Sequence, residues 1–561
     1  MGRESLIRPL WKIINPDIPE SVRDVIRILL QNRNIDPELI AGDLRDLESH
    51  LSMRGLHEGC RLMARHMRTG RKIVLVADYD CDGITSVAQM ALFLMETGYK
   101  NFQVVIPLRE EGYGIPERAV LENPDAALFV AMDCGTLDLK PIKMACSMGA
   151  DCIVIDHHEV PDGEIAPASV LVNPKHPECC SSFKEFCASG LTLLFLAGLR
   201  RAIRDDFPVP ALGGKYLALA AIGTVADMVP LVSANRILAR SGLRNLNARS
   251  CPAVSELAEA AGLTGKPLTA GHIGFYIGPR INAAGRISDA KIAYDLLTSD
   301  RPGESAALAR ELNRLNATRQ AQEETILHDI RCRIAGLPPA TRTLVMGDPA
   351  WARGVVGIAA SRVQQEIHYG PVVILSIDEK NGTARGSARS IPGFDIHAAL
   401  TRCADTLLKW GGHKAAAGLT VGIERIGEFT DCFERVARRY PEEVFIPYGK
   451  VDMELPLEFV GMELLEALQQ LEPHGMGNPS PTFAVRKAQF TVRKTFGKER
   501  NHLKLGFGNG IEGIFWRGAE RLSSASPDET GRMDIVFQID RDSFSGDPVL
   551  DIRDIGRLFQ K

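Results

Sequence analysis

Cys152-Ile153-Val154-Ile155 runs into Asp156-His157-His158, and the reading of that stretch decides the fold. Two earlier segments share its layout. Ile73-Val74-Leu75-Val76-Ala77 leads to Asp78-Tyr79-Asp80-Cys81-Asp82-Gly83, and Ala126-Ala127-Leu128-Phe129-Val130-Ala131-Met132 leads to Asp133-Cys134-Gly135. Each is a short, unbroken apolar run, the pattern of a strand buried on both faces. Each ends in carboxylate or imidazole. In a parallel α/β sheet, ligands bind beyond the carboxyl ends of the strands. Three such strands would bring hard oxygen and nitrogen donors to one place, which suits one or two Mg²⁺ or Mn²⁺ ions and phosphate chemistry.

Outward from these runs, strands alternate with helical stretches from about residue 48 to 300, which predicts a βαβ sheet. Thr85 and Ser86 are expected to cap the helix that follows the first motif. Glu304–Ala335 carries Leu308, Leu312, Leu315 and Ile326 at helical spacing, has no interior Pro or Gly, and stops at Gly336-Leu337-Pro338-Pro339. So long and polar a helix predicts a bridge between domains. A second α/β unit follows, with strands at Thr343-Leu344-Val345-Met346 and Val372-Val373-Ile374-Leu375. Gly354-Val355-Val356-Gly357-Ile358 opens a helix within it. From about residue 450 the period changes to two, with strands at Phe483–Val492, His502–Phe507, Ile511–Trp516, Met533–Ile539 and Val549–Ile552, as in an OB-like β-barrel.

The expected architecture is therefore multidomain α/β. A helical lead-in occupies residues 1–47, a parallel-sheet catalytic domain 48–300, a connecting helix 301–336, a second α/β domain 337–447 and the barrel 448–561.

Composition excludes little. The 561 residues are 45% hydrophobic and 24% charged with a net charge of −4, so a polyanion would need a local basic groove. The 12 cysteines include no C-x-x-C pair and read as reduced thiols rather than a disulfide framework. His176, Cys179, Cys180 and Cys187 lie close in sequence, although their spacing fits no common zinc pattern. Met1–Asn15 lacks a signal-peptide core, and the apolar stretches are too short to span a membrane, which predicts a soluble, cytoplasmic protein.

Asp78, Asp80 and Asp82 alternate, so on an extended strand end they would share one face, and such crowding calls for a cation. An EF-hand begins D-x-D-x-D-G as well. Here its twelfth position is Gln89, and a strand precedes the motif where a helix is required. A further candidate is Asp227, at the end of Ala221-Ile222-Gly223-Thr224-Val225-Ala226.

These motifs resemble those of the DHH phosphoesterase superfamily. Further matches narrow the resemblance to its bacterial RecJ family of single-strand-specific 5′→3′ DNA exonucleases. They are Ile106-Pro107-Leu108-Arg109 with Glu111-Gly112-Tyr113-Gly114, Asp227-Met228-Val229-Pro230, and Gly278-Pro279-Arg280-Ile281-Asn282-Ala283-Ala284-Gly285-Arg286. Gly386-Ser387-Ala388-Arg389-Ser390, Gly411-Gly412-His413-Lys414 and Glu472-Pro473-His474-Gly475-Met476-Gly477-Asn478-Pro479 complete the set.

The resemblance implies a DHH catalytic domain, a DHHA1 domain that binds substrate, and an OB-like domain that binds nucleic acid. It implies two divalent ions, Mn²⁺ or Mg²⁺, held by Asp80, Asp82, Asp133, His157 and Asp227, with Asp133 bridging. His158 would stand by the scissile phosphate, with Asp156 orienting the histidines and Asp78 in support. Cys81, where a small residue such as Ala is expected, would make the site sensitive to oxidation. Arg109, Arg280, Ser387 and Arg389, with Arg286, Arg362 and His413 behind them, would grip the 5′ phosphate and its neighbours. Single-stranded DNA is the implied substrate, in DNA repair and recombination, with a single-strand-binding protein and a RecQ-type helicase as partners. A monomer is expected.

Independently of the resemblance, Arg493, Lys494, Lys498, Arg500, His502 and Lys504 interleave with Phe496 and lead to Trp516-Arg517, the composition of a single-strand track with stacking platforms. Two alternatives stay open: a DHH phosphodiesterase of short oligonucleotides or cyclic dinucleotides, and a non-catalytic single-strand binder. The intact carboxylates and histidines argue against the second.

Overall fold

The three apolar runs form neighbouring strands in a computed structural model, which describes residues 9–35, 42–161, 163–336, 338, 340–525, 531–542 and 545–559. The chain divides into two compact units. One comprises Arg33–Ala317 with Leu468–Ser480; the other comprises Met1–Asn32, Thr318–Ala467 and Pro481–Lys561.

The first unit is built on five parallel strands: β1 (Ile73–Ala77), β2 (Phe102–Val105), β3 (Leu128–Met132), β4 (Asp151–Ile155) and β5 (Val170–Val172), in the order β2-β1-β3-β4-β5. Successive side chains on a strand face opposite sides. Ile73, Leu75, Ala77, Leu128, Val130 and Ile153 therefore enter one core, and Val74, Val76, Phe129, Ala131 and Val154 the other. Both faces are buried, which is why these runs contain no polar residue. Helices α1 (Cys81–Glu96), α2 (Ala188–Ile203) and α3 (Lys215–Ala226) complete the larger core. Strand order reverses at β1, so the crevice at the carboxyl ends of β1 and β3 is the topological switch point where such sheets bind ligands.

The next helices are α4 (Gly278–Ile287) and the 33-residue α5 (Pro302–Ile334), which runs as one helix from the first unit into the second. In the second unit, β6 (Leu344–Asp348), β7 (Val372–Asp378), β8 (Thr383–Arg389), β9 (Lys409–Gly412) and β10 (Ala416–Gly422) form a mixed sheet ordered β9-β10-β8-β7-β6. Helix α6 (Val356–Glu366) lies between β6 and β7 in sequence.

The third sheet has seven strands ordered β11-β12-β16-β17-β15-β14-β13. They are β11 (Met453–Glu454), β12 (Phe483–Ala488), β13 (Phe490–Phe496), β14 (His502–Phe507), β15 (Glu512–Phe515), β16 (Met533–Arg541) and β17 (Pro548–Gly556).

Three expectations need correction. The run Phe483–Val492 is two strands, because Lys487 adopts a left-handed φ of 51° and the ladder shifts register beside it. Thr85 and Ser86 do not cap α1. Asp80 does, while the two hydroxyls bond back to Cys81 O and Asp82 O within the helix. The lead-in is not purely helical: Leu10–Ile13 pairs in parallel with Tyr448–Val451 before the helix Val22–Arg33. Residues 1–8 and 36–41 of that segment, and Leu337 and Pro339 of the expected helix stop, lie outside the described residues. His176, Cys179, Cys180 and Cys187, whose spacing fits no common zinc pattern, are in no group of candidate metal ligands among the described residues. Cys187 caps α2, Cys179 is buried, and Cys180 is exposed.

Candidate metal centre and phosphate sites

The turn from β1 into α1 is shaped by its carboxylates. Asp80 caps the helix, its Oδ1 accepting from Asp82 N (2.9 Å) and Gly83 N (3.1 Å), a cap worth about 1 kcal/mol. A Cβ on Gly83 would stand 2.4 Å from Asp78 O, so no other residue lets the chain turn this tightly. The three aspartates therefore converge through a strand–turn–helix, not through the pleat of an extended strand. Asp133 follows β3 with a left-handed φ of 62°, which points its side chain back over the sheet end. Asp156 follows β4, and Asp227 caps the C-terminus of α3.

Three overlapping groups of donors result. They are Asp78, Asp80 and Asp133; Asp82, His157 and Asp227; and Asp133, His157 and His158, each set with its ligand atoms within 4.8 Å of one another. His157 Nε2 lies 3.2 Å from Asp133 Oδ1, 3.6 Å from Asp227 Oδ2 and 3.8 Å from Asp82 Oδ2. The 3.2 Å approach is close enough for a hydrogen bond but not aligned as one. Asp78 Oδ1, Asp133 Oδ1 and His157 Nε2 are all buried without a hydrogen-bond partner. Buried polar atoms are rarely left so, and these three point into one donor cluster.

The electrostatics match. Burial first, and the Asp80 charge second, raise Asp78 to about 8 and Asp82 to about 7. Burial, then Asp82, raises Asp227 to about 9, and Asp133 is pushed well up for the same reasons. Burial and the neighbouring His158 push His157 down to about 4, leaving it a neutral ligand. Burial alone would raise Asp156, but the His158 imidazole bonded to it outweighs that and holds it ionised. Four carboxylates and a neutral imidazole around one space make a hard donor set suited to a divalent cation of the Mg²⁺ or Mn²⁺ type.

Asp82 differs from expectation in one respect. Its Oδ2 accepts from Ala188 N (2.7 Å) and its Oδ1 from Ser189 N (2.9 Å), at the N-terminus of α2. The Cys187 thiol bonds it too. Both of its oxygens are engaged by protein, whereas Asp78, expected only in support, has an unpartnered oxygen in the cluster. Cys81 is buried, and burial with the surrounding carboxylates keeps its thiol protonated, which removes the expected susceptibility to oxidation.

In the same unit, the Arg109 guanidinium lies 4.5 Å over the Tyr79 ring, and its Nε donates to Gly285 O. Arg280, on α4, bonds Asn313 Oδ1 and Tyr276 O, and half-buried Arg286 ends the same helix.

In the second unit, Arg389 Nε donates to Ser361 Oγ (2.9 Å) and Nη1 to Ser387 Oγ (2.5 Å). Burial lowers its pKa, and no carboxylate pairs with it among the described residues. It stands over the start of α6, where a Cβ on Gly357 would sit 3.4 Å from both Arg389 Nη2 and Ser387 Oγ. A half-buried cation, two hydroxyls and a helix N-terminus are together the elements of a candidate anion site. Arg362 does not share in it: its guanidinium is committed to Glu324 (2.5 Å) and Glu366 (3.0 Å). His413 is exposed in the β9–β10 hairpin.

Three family models match the chain: the DHH family N-terminal domain over residues 72–224, the DHHA1 domain over 340–439, and the RecJ OB domain over 451–553. The single-stranded-DNA-specific exonuclease RecJ of Escherichia coli is 31% identical, with 96% of each chain covered. The chain belongs to the RecJ family. The Bacillus subtilis RecJ is 32% identical over 88% of this chain, which spans 64% of that protein's length. Crystal structures of Thermus thermophilus RecJ in complex with Mn²⁺ and with Mg²⁺ superpose with TM-scores of 0.76 and 0.73, at 28% and 27% identity, over 97% of this chain and 78% of theirs.

Within this RecJ-family site, sequence reasoning missed three residues. Asn282 accepts from Cys81 N (2.8 Å) and so fixes the first turn of α1. Thr136 N donates to Asp156 Oδ2 (3.1 Å). Tyr113 reaches Asp133 and His158. Tyr113, flanked by two glycines, and Asn282, inside the Gly278–Arg286 motif, carried a sequence signal; Thr136 carried none.

Proposed function

We propose that this protein is a divalent-metal-dependent hydrolase that degrades single-stranded DNA 5′→3′ to 5′-mononucleotides, in DNA repair and recombination. The observation that carries the reading is the convergence of Asp78, Asp80, Asp133, His157 and Asp227, with three unpartnered buried atoms, at the switch point of the sheet. Polarity and substrate follow from the family. The domain limits 1–47, 48–300, 301–336, 337–447 and 448–561 belong to the same proposal.

Asp80, Asp82, Asp133, His157 and Asp227 would hold the ions, Asp133 between them, with Asp78 as a further donor. Bound ions of this kind activate water and neutralise charge on the scissile phosphate. Asp156 accepts the Nδ1 proton of His158 at 2.8 Å and fixes that tautomer, which leaves His158 Nε2 for the phosphate or the leaving oxygen. Burial alone would lower the His158 pKa, but the Asp156 carboxylate outweighs it and favours the protonated ring. Ser387 and Arg389 would bind the 5′ phosphate, with Arg109, Arg280 and Arg286 on the phosphates nearer the ions.

No described helix is long and apolar enough to cross a membrane. A cytoplasmic monomer working with a single-strand-binding protein and a RecQ-type helicase is the accompanying expectation. The test is digestion of single-stranded DNA labelled at either end, with Mn²⁺, and with Asp133→Ala as control. Immediate release of labelled mononucleotide from the 5′ end, abolished in the variant, is expected. Turnover of di- or short oligonucleotides alone would move the protein to the short-substrate phosphodiesterases.

A further inference from the structure

The loop Glu111-Gly112-Tyr113-Gly114 carries a tyrosine whose ring is half out of the protein, 55% exposed, yet whose hydroxyl is directed inward. Tyr113 Oη donates to the main-chain oxygen of Asp133 at 2.8 Å and lies 3.0 Å from His158 Nδ1. The two rings meet edge to face, 5.4 Å apart. The loop is built for this pose. Gly112 and Gly114 have φ of 100° and 101°, and a Cβ on Gly114 would stand 2.3 Å from Asp138 Oδ1. That carboxylate is itself committed, accepting from Ile115 N through its other oxygen at 3.0 Å.

Both contacts fall on groups that need holding. Asp133 is a non-glycine residue in the left-handed region, a conformation that persists only where its surroundings enforce it. Its main-chain nitrogen is tied to Ile155 O, and its main-chain oxygen to Tyr113. His158 is held on one edge by Asp156 Oδ1 at 2.8 Å and on the other side by the Tyr113 ring. The protons can be counted. The tyrosine's single proton goes to the Asp133 oxygen, so toward His158 its oxygen can only accept. The Asp156 carboxylate, 2.8 Å from Nδ1, places the hydrogen there, and Tyr113 Oη accepts a share of it at 3.0 Å while passing Nε2 at 3.4 Å.

We infer that Tyr113 is a positioning residue, whose hydroxyl ties the strained Asp133 peptide to the His158 imidazole and thereby sets both the geometry of the Asp133 carboxylate and the orientation of the His158 ring. This rests on the reading of the site as a metal-dependent phosphodiesterase.

The test is Tyr113→Phe, which removes one oxygen and keeps the ring. Four quantities are compared with the unaltered protein: Mn²⁺ affinity by calorimetry on the metal-free protein, kcat and KM on a single-stranded oligonucleotide, and the melting temperature. A loss in Mn²⁺ affinity or kcat of about tenfold is expected, with KM and melting temperature unchanged, since partners that orient metal ligands cost about that much when removed. Unchanged Mn²⁺ affinity and kcat would overturn the inference. An effect on KM alone would also overturn it, making the tyrosine a strand contact instead. If the unaltered protein degrades no single-stranded DNA, the functional reading fails, and the calorimetric comparison still decides the tie to Asp133.

Discussion

Asp82 Oδ2 accepts a hydrogen bond of 2.7 Å from the main-chain nitrogen of Ala188, 106 residues away, so a carboxylate of the signature motif is anchored on the N-terminus of another helix. A second bond, from Ser189, engages its other oxygen. Asp82 therefore stabilises the fold as well as facing the metal cluster, while Asp133 serves the cluster at a cost to the fold. In metal-free protein below about pH 7, where its carboxyl keeps its proton, Asp82→Ala is expected to lower stability by about 1–3 kcal/mol, the penalty for leaving buried main-chain donors without an acceptor. Asp133→Asn removes a buried like charge and keeps a residue that tolerates positive φ, so its metal-free melting temperature should be equal or higher. Thermal melts in EDTA and in Mn²⁺ check this: Asp133→Asn should lose the Mn²⁺ stabilisation entirely. A destabilised Asp133→Asn with intact Mn²⁺ response would refute the division of roles.

Stability should also depend on pH in a direction opposite to that of most paired carboxylates. In the metal-free protein, Asp78, Asp82 and Asp227 keep their protons up to about 8, 7 and 9, against about 4 for an unfolded aspartate. Between those limits the folded state binds more protons than the unfolded chain, so unfolding free energy falls as pH rises. A cation displaces those protons, so its binding strengthens as pH rises. Melts in EDTA should drop from pH 5 to 8, and the gain on adding Mn²⁺ should be larger at pH 8 than at pH 6. Equal gains would contradict the buried-carboxylate account.

Family resemblance alone ranks Arg389 ahead of Arg362, since each stands beside a serine in sequence. Arg389 has hydroxyls and, among the described residues, no carboxylate, whereas Arg362 is neutralised by Glu324 and Glu366. Arg389→Ala should raise KM for a 5′-phosphorylated strand by about tenfold or more, and should narrow its advantage over a 5′-hydroxyl strand, as loss of charge-assisted phosphate bonds requires. Arg362→Ala should leave that preference intact. Steady-state kinetics on the two kinds of 5′ end distinguish them.

In the barrel, Trp516 is 55% exposed, with its ring 5.7 Å from Phe496 and 5.1 Å from His502. The strands that carry Phe496 and His502 pair antiparallel, with a register shift between Val492 and Lys494, and also bear Arg493, Lys494 and Lys504, of which Arg493 and Lys504 share Glu512. Base stacking on an aromatic contributes about 1–3 kcal/mol. Trp516→Ala should thus weaken binding of an oligo-dT by about tenfold in fluorescence anisotropy, with kcat on short strands unchanged. Unaltered affinity would return Trp516 to a packing role.

What could be read in advance was local. Ile73–Ala77, Leu128–Met132 and Cys152–Ile155 are apolar because both faces of a parallel sheet are buried, and the donors follow because strand ends face the crevice. One-dimensional spacing failed where the chain turns. Asp78, Asp80 and Asp82 alternate as though extended, but Asp80 caps a helix and Asp82 lies inside it. Nothing in the spacing of Cys187 shows that it caps α2 and bonds Asp82.

By itself, then, the sequence determined the strands, the helices and the residue types that meet at the sheet's carboxyl edge, since periodicity and burial are properties of short segments. Only the tertiary structure decided which carboxylates face the cluster and which are consumed by the fold, which arginine keeps its charge for an anion, and that Tyr113 reaches His158. Those outcomes depend on hydrogen-bond partners tens to hundreds of residues away, brought into range by packing that no local pattern records.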